Sequence, residues 1–320
     1  MIFFVLSGFF IGGSVFHKIS DGTWGWGDYL ANRLSRLWVV LIPALVLTFA
    51  FDEAGIFLTG GNGYNGEFNQ MIHSGPMLNG RLDTGFLCFL SNLFFLQTII
   101  SPVFGSNGPL WSLCNEFWYY IIFPPLVFLF ARNKKWMVRI FYFLILILLF
   151  CFLPRAIVIY GCIWFFGFLT FLCAHKPRLN SWTSNFLFFG VFFIFFALGF
   201  WLSKRNWPYS DFLIGASFAG MIPYLLNLKI DLSGYRWISE KLSEVSYTLY
   251  CFHFPFLCFL FFVYRLPHRS QPSPSGYLTY FIFFFIVLLL ARGLWWMFER
   301  NTELVRSVFK RALKYMGRKN

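Results

Sequence analysis

Long apolar runs, separated by short polar loops, recur along the whole chain. A helix needs about 20 mostly apolar residues to cross the hydrocarbon core of a bilayer. Ten runs approach or reach that length, at residues 1–16, 37–51, 86–100, 116–131, 139–153, 156–173, 185–202, 211–228, 245–264 and 277–298. The pattern predicts an all-α fold, a polytopic bundle of about nine to ten transmembrane helices.

The composition supports a membrane protein. Of the 320 residues, 58% are hydrophobic and 12% are charged, whereas a soluble domain has about half and about a quarter. This excludes a soluble enzyme and a disordered protein. The formal net charge of +13 would suit nucleic-acid binding, but the cations lie in short loops and at the chain end. We therefore predict no nucleic-acid partner and one integral membrane domain over residues 1–320.

The placement of lysine and arginine predicts sidedness. Seven of them fall in residues 300–320, which we expect to be a basic cytoplasmic tail. Counting backwards leaves three apolar runs between basic residues 17–36 and Arg132, although only an even number of crossings returns a chain to the same side. One of the three should not cross fully, and the interrupted region 86–131 is the suspect. The polar loop 52–85 is expected to face outward and to help hold an acceptor.

The clearest charged residue at membrane depth is Glu116. On a helix, Ser112, Glu116 and Tyr120 share one face because they are four residues apart. A carboxylate there can orient a hydroxyl or accept its proton. It can equally bond a neighbouring helix or cap the segment after Pro109, and both interpretations stay open at this point.

Two arginines, Arg33 and Arg36, precede an apolar run and fall on one helical face. Two guanidinium groups can bind phosphate oxygens bidentately. Arginines beside a span also commonly anchor it on the cytoplasmic side. Spacing alone favours anchoring, with phosphate binding as the alternative.

A polar stripe of Ser246, Tyr250 and His253 follows helical spacing in another apolar run. It would form a proton relay or the wall of a wet cavity. A structural histidine that fixes helix packing is the alternative, and spacing favours it. Ser7 and Gly8 are small residues that allow helices to approach closely.

Four segments resemble motifs of the acyltransferase 3 family of membrane O-acyltransferases, and they occur in the family's order. They are residues 3–9, like the second-helix signature; Arg33 to Arg36 followed by Pro43, like the RxxR motif; residues 110–120 with Pro124, like the tryptophan–serine–glutamate motif; and residues 245–255, like the late-helix motif.

The resemblance implies a multi-pass enzyme of the bacterial inner membrane with a cytoplasmic C-terminus. Such enzymes move an acyl group, usually acetyl, from acyl-CoA to a hydroxyl of a cell-surface or lipid-linked carbohydrate, such as lipopolysaccharide O-antigen. It implies no metal and no permanently bound cofactor, with acyl-CoA as donor substrate and membrane lipid as surroundings. The implied site residues are Glu116 and His253 at the reaction centre and cavity, Arg33 and Arg36 at the CoA phosphates, and Ser7, Gly8, Trp111, Ser112, Ser246, Tyr247 and Tyr250 in support.

In the family, a helix with a histidine, thought to be the general base, precedes the segment that resembles residues 3–9. We therefore expect an N-terminally incomplete domain, with roughly 20–40 further residues encoded before Met1. Three alternatives remain: a transporter or flippase for a lipid-linked glycan, an inactive truncated acyltransferase, and an unrelated membrane-bound O-acyltransferase with His253 as its catalytic histidine.

Overall fold

The computed structural model describes residues 1–64, 82–131, 134–174, 182–227, 233–264 and 273–316. Within these residues the secondary structure is helical, which confirms the predicted all-α class. In chain order the helices are α1 (Ile2–Ser20), α2 (Trp26–Thr59), α3 (Phe86–Leu93), α4 (Leu110–Phe130), α5 (Trp136–Phe152), α6 (Arg155–Ala174), α7 (Trp182–Ser203), α8 (Ser210–Asn227), α9 (Ser233–Val263), α10 (Pro274–Met297) and α11 (Thr302–Met316).

Seven helical stretches among the described residues are long and apolar enough to cross a membrane. They lie in α1, α2, α4, α6, α7, α9 and the run that begins with α10, and α5 is a shorter apolar helix of 17 residues. The predicted polytopic bundle is confirmed, with fewer such helices than the nine to ten expected. The polar ends of α8, Ser210, Asp211 and Asn227, lower the hydropathy of that 18-residue helix.

The apolar run 86–100 forms only a short helix. The eight residues of α3 extend about 12 Å, which is too short to cross a core of about 30 Å. The irregular backbone that follows is held by buried amide side chains. Asn92 Nδ2 donates to Pro102 O at 3.1 Å, and Gln97 Nε2 donates to Leu110 O at 2.9 Å. Of the three apolar runs between residues 37 and 131, this run is the one whose helix is too short to cross, and it lies in the suspected region 86–131.

One boundary prediction was wrong. Residues 52–59 were expected to open the polar loop 52–85, but α2 continues to Thr59 and ends at Gly60, which adopts a left-handed conformation with φ of 63°. Residues 65–81 of that loop lie outside the described residues, as do Arg132 and residues 317–320. The boundaries of the domain and of its basic tail stay predictions.

The chain forms two compact units, each built from two separate stretches. The first unit comprises Met1–Trp24 and Asn115–Asp231, and the second comprises Gly25–Cys114 and Leu232–Asn320. The long helix α4 contributes its first turn to the second unit and the remainder to the first.

In the first unit, α1 and α6 approach until their backbones touch. A Cβ atom on Gly8 would collide with the carbonyl oxygen of Trp164, and one on Gly167 would collide with that of Val5. Small residues permit such contacts between membrane helices. The segment Gly8–Gly12 of α1 is wound as a π-helix at this crossing.

Two of the prolines inside helices, Pro223 and Pro255, leave a carbonyl group to which a polar side chain donates. Pro223 removes the donor that Ala219 O would have four residues later, and Thr170 Oγ1 donates to that oxygen at 3.2 Å. In the second unit, Pro255 likewise has no N–H to donate to Cys251 O.

We predict that Thr170→Val destabilises the protein only while Pro223 is present. Valine cannot donate to Ala219 O, so the free energy of unfolding should fall by about 1 kcal/mol. In a Pro223→Ala background, the backbone N–H of residue 223 can take over that donation, and the same substitution should cost little. Unfolding of the four purified variants in detergent measures the coupling, and an equal loss in both backgrounds would disprove this explanation.

Candidate functional site

Glu116 is the centre of a buried polar cluster in the first unit. Its side chain on α4 is 3% exposed. Oε1 accepts a hydrogen bond from Ser7 Oγ at 2.8 Å and a second from the hydroxyl of Tyr120. The indole Nε1 of Trp164 donates to Ser7 Oγ at 3.0 Å. Two paths of hydrogen bonds thus meet at one carboxylate oxygen, one from Trp164 through Ser7 and one directly from Tyr120.

The crossing of α1 and α6 assembles this cluster. Gly8 allows the backbone of Trp164 to lie against α1, and this brings the indole within reach of the adjacent Ser7. Sequence analysis placed Glu116 and Tyr120 on one face of a helix, and the structure joins them by a hydrogen bond. It also joins them to Ser7, which lies 109 residues away from Glu116.

The cluster is suited to holding a negative charge or a proton inside an apolar unit. Hydrogen bonds from hydroxyl groups to an ionised carboxylate are stronger than bonds between neutral groups. Without such donors, burial of the carboxylate of Glu116 would be costly. Glu116 can therefore orient a hydroxyl group or accept a proton from it.

A second polar cluster lies in the second unit, between the start of α4 and the middle of α9. The hydroxyl of Tyr250 donates to Pro109 O. The oxygen of Ser112 is 2.5 Å from that of Tyr250, so Ser112 donates to Tyr250, whose own proton is already used. Trp111 is half-buried in the same first turn of α4.

The contacts of His253 assign its neutral tautomer. Nδ1 lies 2.9 Å from both Leu249 O and Tyr250 O. A carbonyl oxygen only accepts, so Nδ1 carries the proton. In the neutral ring Nε2 then keeps a lone pair that can accept a proton from another group.

The remaining predicted residues of the late-helix motif do not all join this cluster. Ser246 is exposed and donates to Ser243 O on its own helix at 2.8 Å, so the structure brings together Tyr250 and His253 of the predicted stripe without Ser246. Tyr247 is buried and donates to Leu37 O on α2 at 3.2 Å.

The paired arginines lie near the start of α2 in the second unit. Arg36 is exposed, and Arg33 is half-buried with its guanidinium 5.5 Å from the centre of the Tyr29 ring. Arg36 also acts electrostatically on Glu299, which accepts from Thr248. Their spacing on α2 leaves the two guanidinium groups on one face, as expected.

Comparison with known proteins decides the family. The acyltransferase 3 model, described as an acyltransferase domain, matches residues 1–296. The chain belongs to the acyltransferase 3 family. It is also similar to an uncharacterized protein of Haemophilus influenzae, with 29% identity over 157 residues that cover 49% of this chain. The match spans 59% of that curated relative's length, and no solved structure matches the chain.

This acyltransferase 3 protein also contains polar residues that sequence reasoning missed. Asp52 is completely buried on α2, where it accepts from Ser106 N at 2.7 Å and from Ser106 Oγ at 2.6 Å. Asn107 Nδ2 donates to Thr48 Oγ1 at 3.0 Å and to Cys251 O at 2.9 Å. Together these bonds fix the turn that leads into α4. Asp52 follows the apolar run 37–51 directly, and this position could have marked it as a buried carboxylate. The loop predicted at 52–85 hid that signal.

Trp164 was also missed, because nothing in the sequence distinguishes it from the other tryptophans in apolar runs. In the described part of the chain, no group of three or more His, Cys, Asp or Glu side chains converges, and the prediction of no metal stays a prediction.

We predict that Gly8→Ala disrupts the Glu116 cluster of this acyltransferase 3 protein. The new methyl group collides with backbone, which cannot move as a flexible side chain can, so the free energy of unfolding should fall by about 1–3 kcal/mol. Gly190→Ala on α7 is the matched control, since nothing lies within 4 Å of its Cβ position. Thermal unfolding in detergent compares them, and equal midpoints would contradict the close approach.

Proposed function

We propose that this membrane acyltransferase moves an acyl group, in the first instance acetyl, from acyl-CoA to a hydroxyl of a cell-surface or lipid-linked carbohydrate. The acyltransferase family supports the reaction type. The observation that supports the proposal further is the buried side chain of Glu116. One of its carboxylate oxygens accepts hydrogen bonds from two hydroxyl groups. A carboxylate in such a site can orient the hydroxyl group of an acceptor and accept its proton.

The proposed reaction has a simple balance. The oxygen of the acceptor hydroxyl attacks the thioester carbonyl, the new C–O ester bond forms and the C–S bond breaks. The hydroxyl proton passes to a base on the enzyme, and the CoA thiolate leaves and is then protonated. Proton removal by a positioned side chain typically accelerates such a step by about 10²–10⁴-fold.

We assign Glu116 to the reaction centre and keep His253 as the second candidate for proton transfer. Support for Glu116 comes from its burial and its two hydroxyl donors. Support for His253 comes from its protonated Nδ1, which leaves the lone pair on Nε2. Within the second unit, the bond between Ser112 and Tyr250 would hold the start of α4 in place.

The donor binds, on this proposal, at Arg33 and Arg36. CoA carries a pyrophosphate and a further phosphate, and a planar guanidinium matches two phosphate oxygens at once. Exposure of Arg36 is compatible with binding a solute from water. The basic residues of 300–320 favour the cytoplasmic side for the C-terminus. Membership of the acyltransferase 3 family supports a bacterial inner membrane as the proposed location.

We predict that Glu116→Gln lowers acyl transfer by about 10²–10⁴-fold while the protein still accumulates in membranes, because glutamine cannot take up the proton. Membranes are supplied with radiolabelled acetyl-CoA, and label in the glycan fraction is counted alongside membrane abundance. Glu240→Gln is the matched control, since this carboxylate is exposed and pairs with Arg236.

Wild-type transfer by the Glu116→Gln protein would remove Glu116 from the reaction centre. A chain that accumulates normally but transfers no label with any glycan fraction would favour the inactive alternative.

We predict that Arg33→Ala and Arg36→Ala each raise the KM for acyl-CoA by about 10–100-fold, the cost of one charge-assisted hydrogen bond. Lysine at either position should restore binding only in part, because an ammonium cannot bond two oxygens in the plane. Arg205→Ala is the control, with a guanidinium that lies over Trp201 at the end of α7. Titration of acyl-CoA at fixed acceptor measures the effect, and an unchanged KM would reduce the pair to membrane anchors.

A further inference from the structure

The C-terminal helix α11 packs on α2 with one of its faces. The ring of Phe309 lies 5.8 Å from that of Trp38, and Lys310 Nζ lies 3.6 Å from Asp28 Oδ1. These contacts fix α11 to the body of the second unit, so its other faces have a defined direction.

A different face of α11 is apolar and exposed. Leu304, Val308 and Tyr315 are 67%, 56% and 74% exposed, and they follow at helical spacings with Arg311 in the same line. Nothing within the residues that the structure describes covers this line. Large apolar side chains in such a line are typical of a surface that contacts another apolar phase.

The segment around this face is strongly basic. Residues 300–320 contain seven Lys and Arg and a single carboxylate, Glu303. Arg300, Lys310 and Arg311 are exposed. Arg306 bonds Glu303 within the helix. The surface of α11 therefore joins an apolar line to an excess of positive charge.

The chain holds α11 close to the membrane. The 24 residues of α10 extend about 36 Å, enough for the hydrocarbon core of about 30 Å. Only residues 298–301 separate the two helices, and four residues reach about 14 Å at most. Since α11 is too charged to insert, it must begin within or beside the headgroup layer.

We propose that α11 is an interfacial helix that binds anionic lipids. Leu304, Val308 and Tyr315 enter the boundary between headgroups and acyl chains, and Arg311 with the neighbouring cations binds headgroup phosphates. A helix that combines an apolar line with Lys and Arg has the chemistry for this position, and each cation near an anionic surface strengthens the attachment. The proposal is independent of the acyl-transfer reaction.

Hydrogen–deuterium exchange of the full-length protein in lipid nanodiscs tests it. In phosphatidylcholine mixed with phosphatidylglycerol, the amides of α11 should exchange at least tenfold more slowly than in phosphatidylcholine alone. Arg311→Gln should remove about fivefold of that protection, as expected for one cation. Leu304→Ser, on the same exposed side, should weaken protection in both lipids. Neither residue belongs to the face that packs on α2.

The double variant Lys204→Gln with Arg205→Gln, which removes two exposed cations at the end of α7, should leave α11 unchanged. Equal exchange of α11 in the two lipid mixtures would overturn the proposal. Protection by CoA or inorganic phosphate in phosphatidylcholine alone, without an effect of phosphatidylglycerol, would also overturn it and assign the cations to a soluble phosphate.

Discussion

Backbone N–H and C=O groups inside a membrane protein must find partners within the protein, since lipid offers none. At several places in this chain a polar side chain bonds a backbone carbonyl group, and at Pro223 and Pro255 it replaces the helical donor that proline lacks. Thr170 serves Ala219 O, Asn107 serves Cys251 O, and Gln97 serves Leu110 O. The polar cluster of Glu116 is different in kind. Ser7 and Tyr120 bond the carboxylate and Trp164 bonds Ser7, so these interactions link side chains to one another. This difference separates the bonds that complete the backbone from the bonds of the candidate site.

Two buried carboxylates, Asp52 and Glu116, and the half-buried Glu299 all accept hydrogen bonds from neutral donors. Asp52 accepts from the N–H and the hydroxyl of Ser106, and Glu299 accepts from the N–H and the hydroxyl of Thr248. Glu116 likewise receives hydroxyl donors. Neutral hydrogen-bond donors lower the cost of burying a charged group, and at Glu299 the cation of Arg36 acts as well. Asp52 bonds a turn before α4, whereas Glu116 bonds side chains of α1 and of its own helix.

The sequence was a sound guide to features that depend on local pattern. Apolar runs located the helices, and four-residue spacing placed Glu116 and Tyr120 together. The predicted helix boundary was wrong where a helix continues beyond its apolar run. Because α2 extends to Thr59, Asp52 is a buried helical residue and not a loop residue. Hydrogen-bond partners that lie far apart in the sequence could not be predicted either. No spacing connects Ser112 with Tyr250, 138 residues later, or selects Trp164 as the donor to Ser7. Family motifs named several of these residues, but only packing showed which of them meet.

The interleaved order of the two units has a consequence for biogenesis. Asn107 is synthesised 144 residues before Cys251, the residue whose carbonyl it satisfies. At about 5–20 residues per second, the chain needs roughly 7–30 s to bridge that interval. During that time the ribosome produces Asn115–Asp231, which completes the first unit, while Gly25–Cys114 still lacks the rest of the second. The first unit can therefore close early. The half-made second unit must be sheltered within the membrane, with the amide of Asn107 served by water, the insertion machinery or a temporary partner.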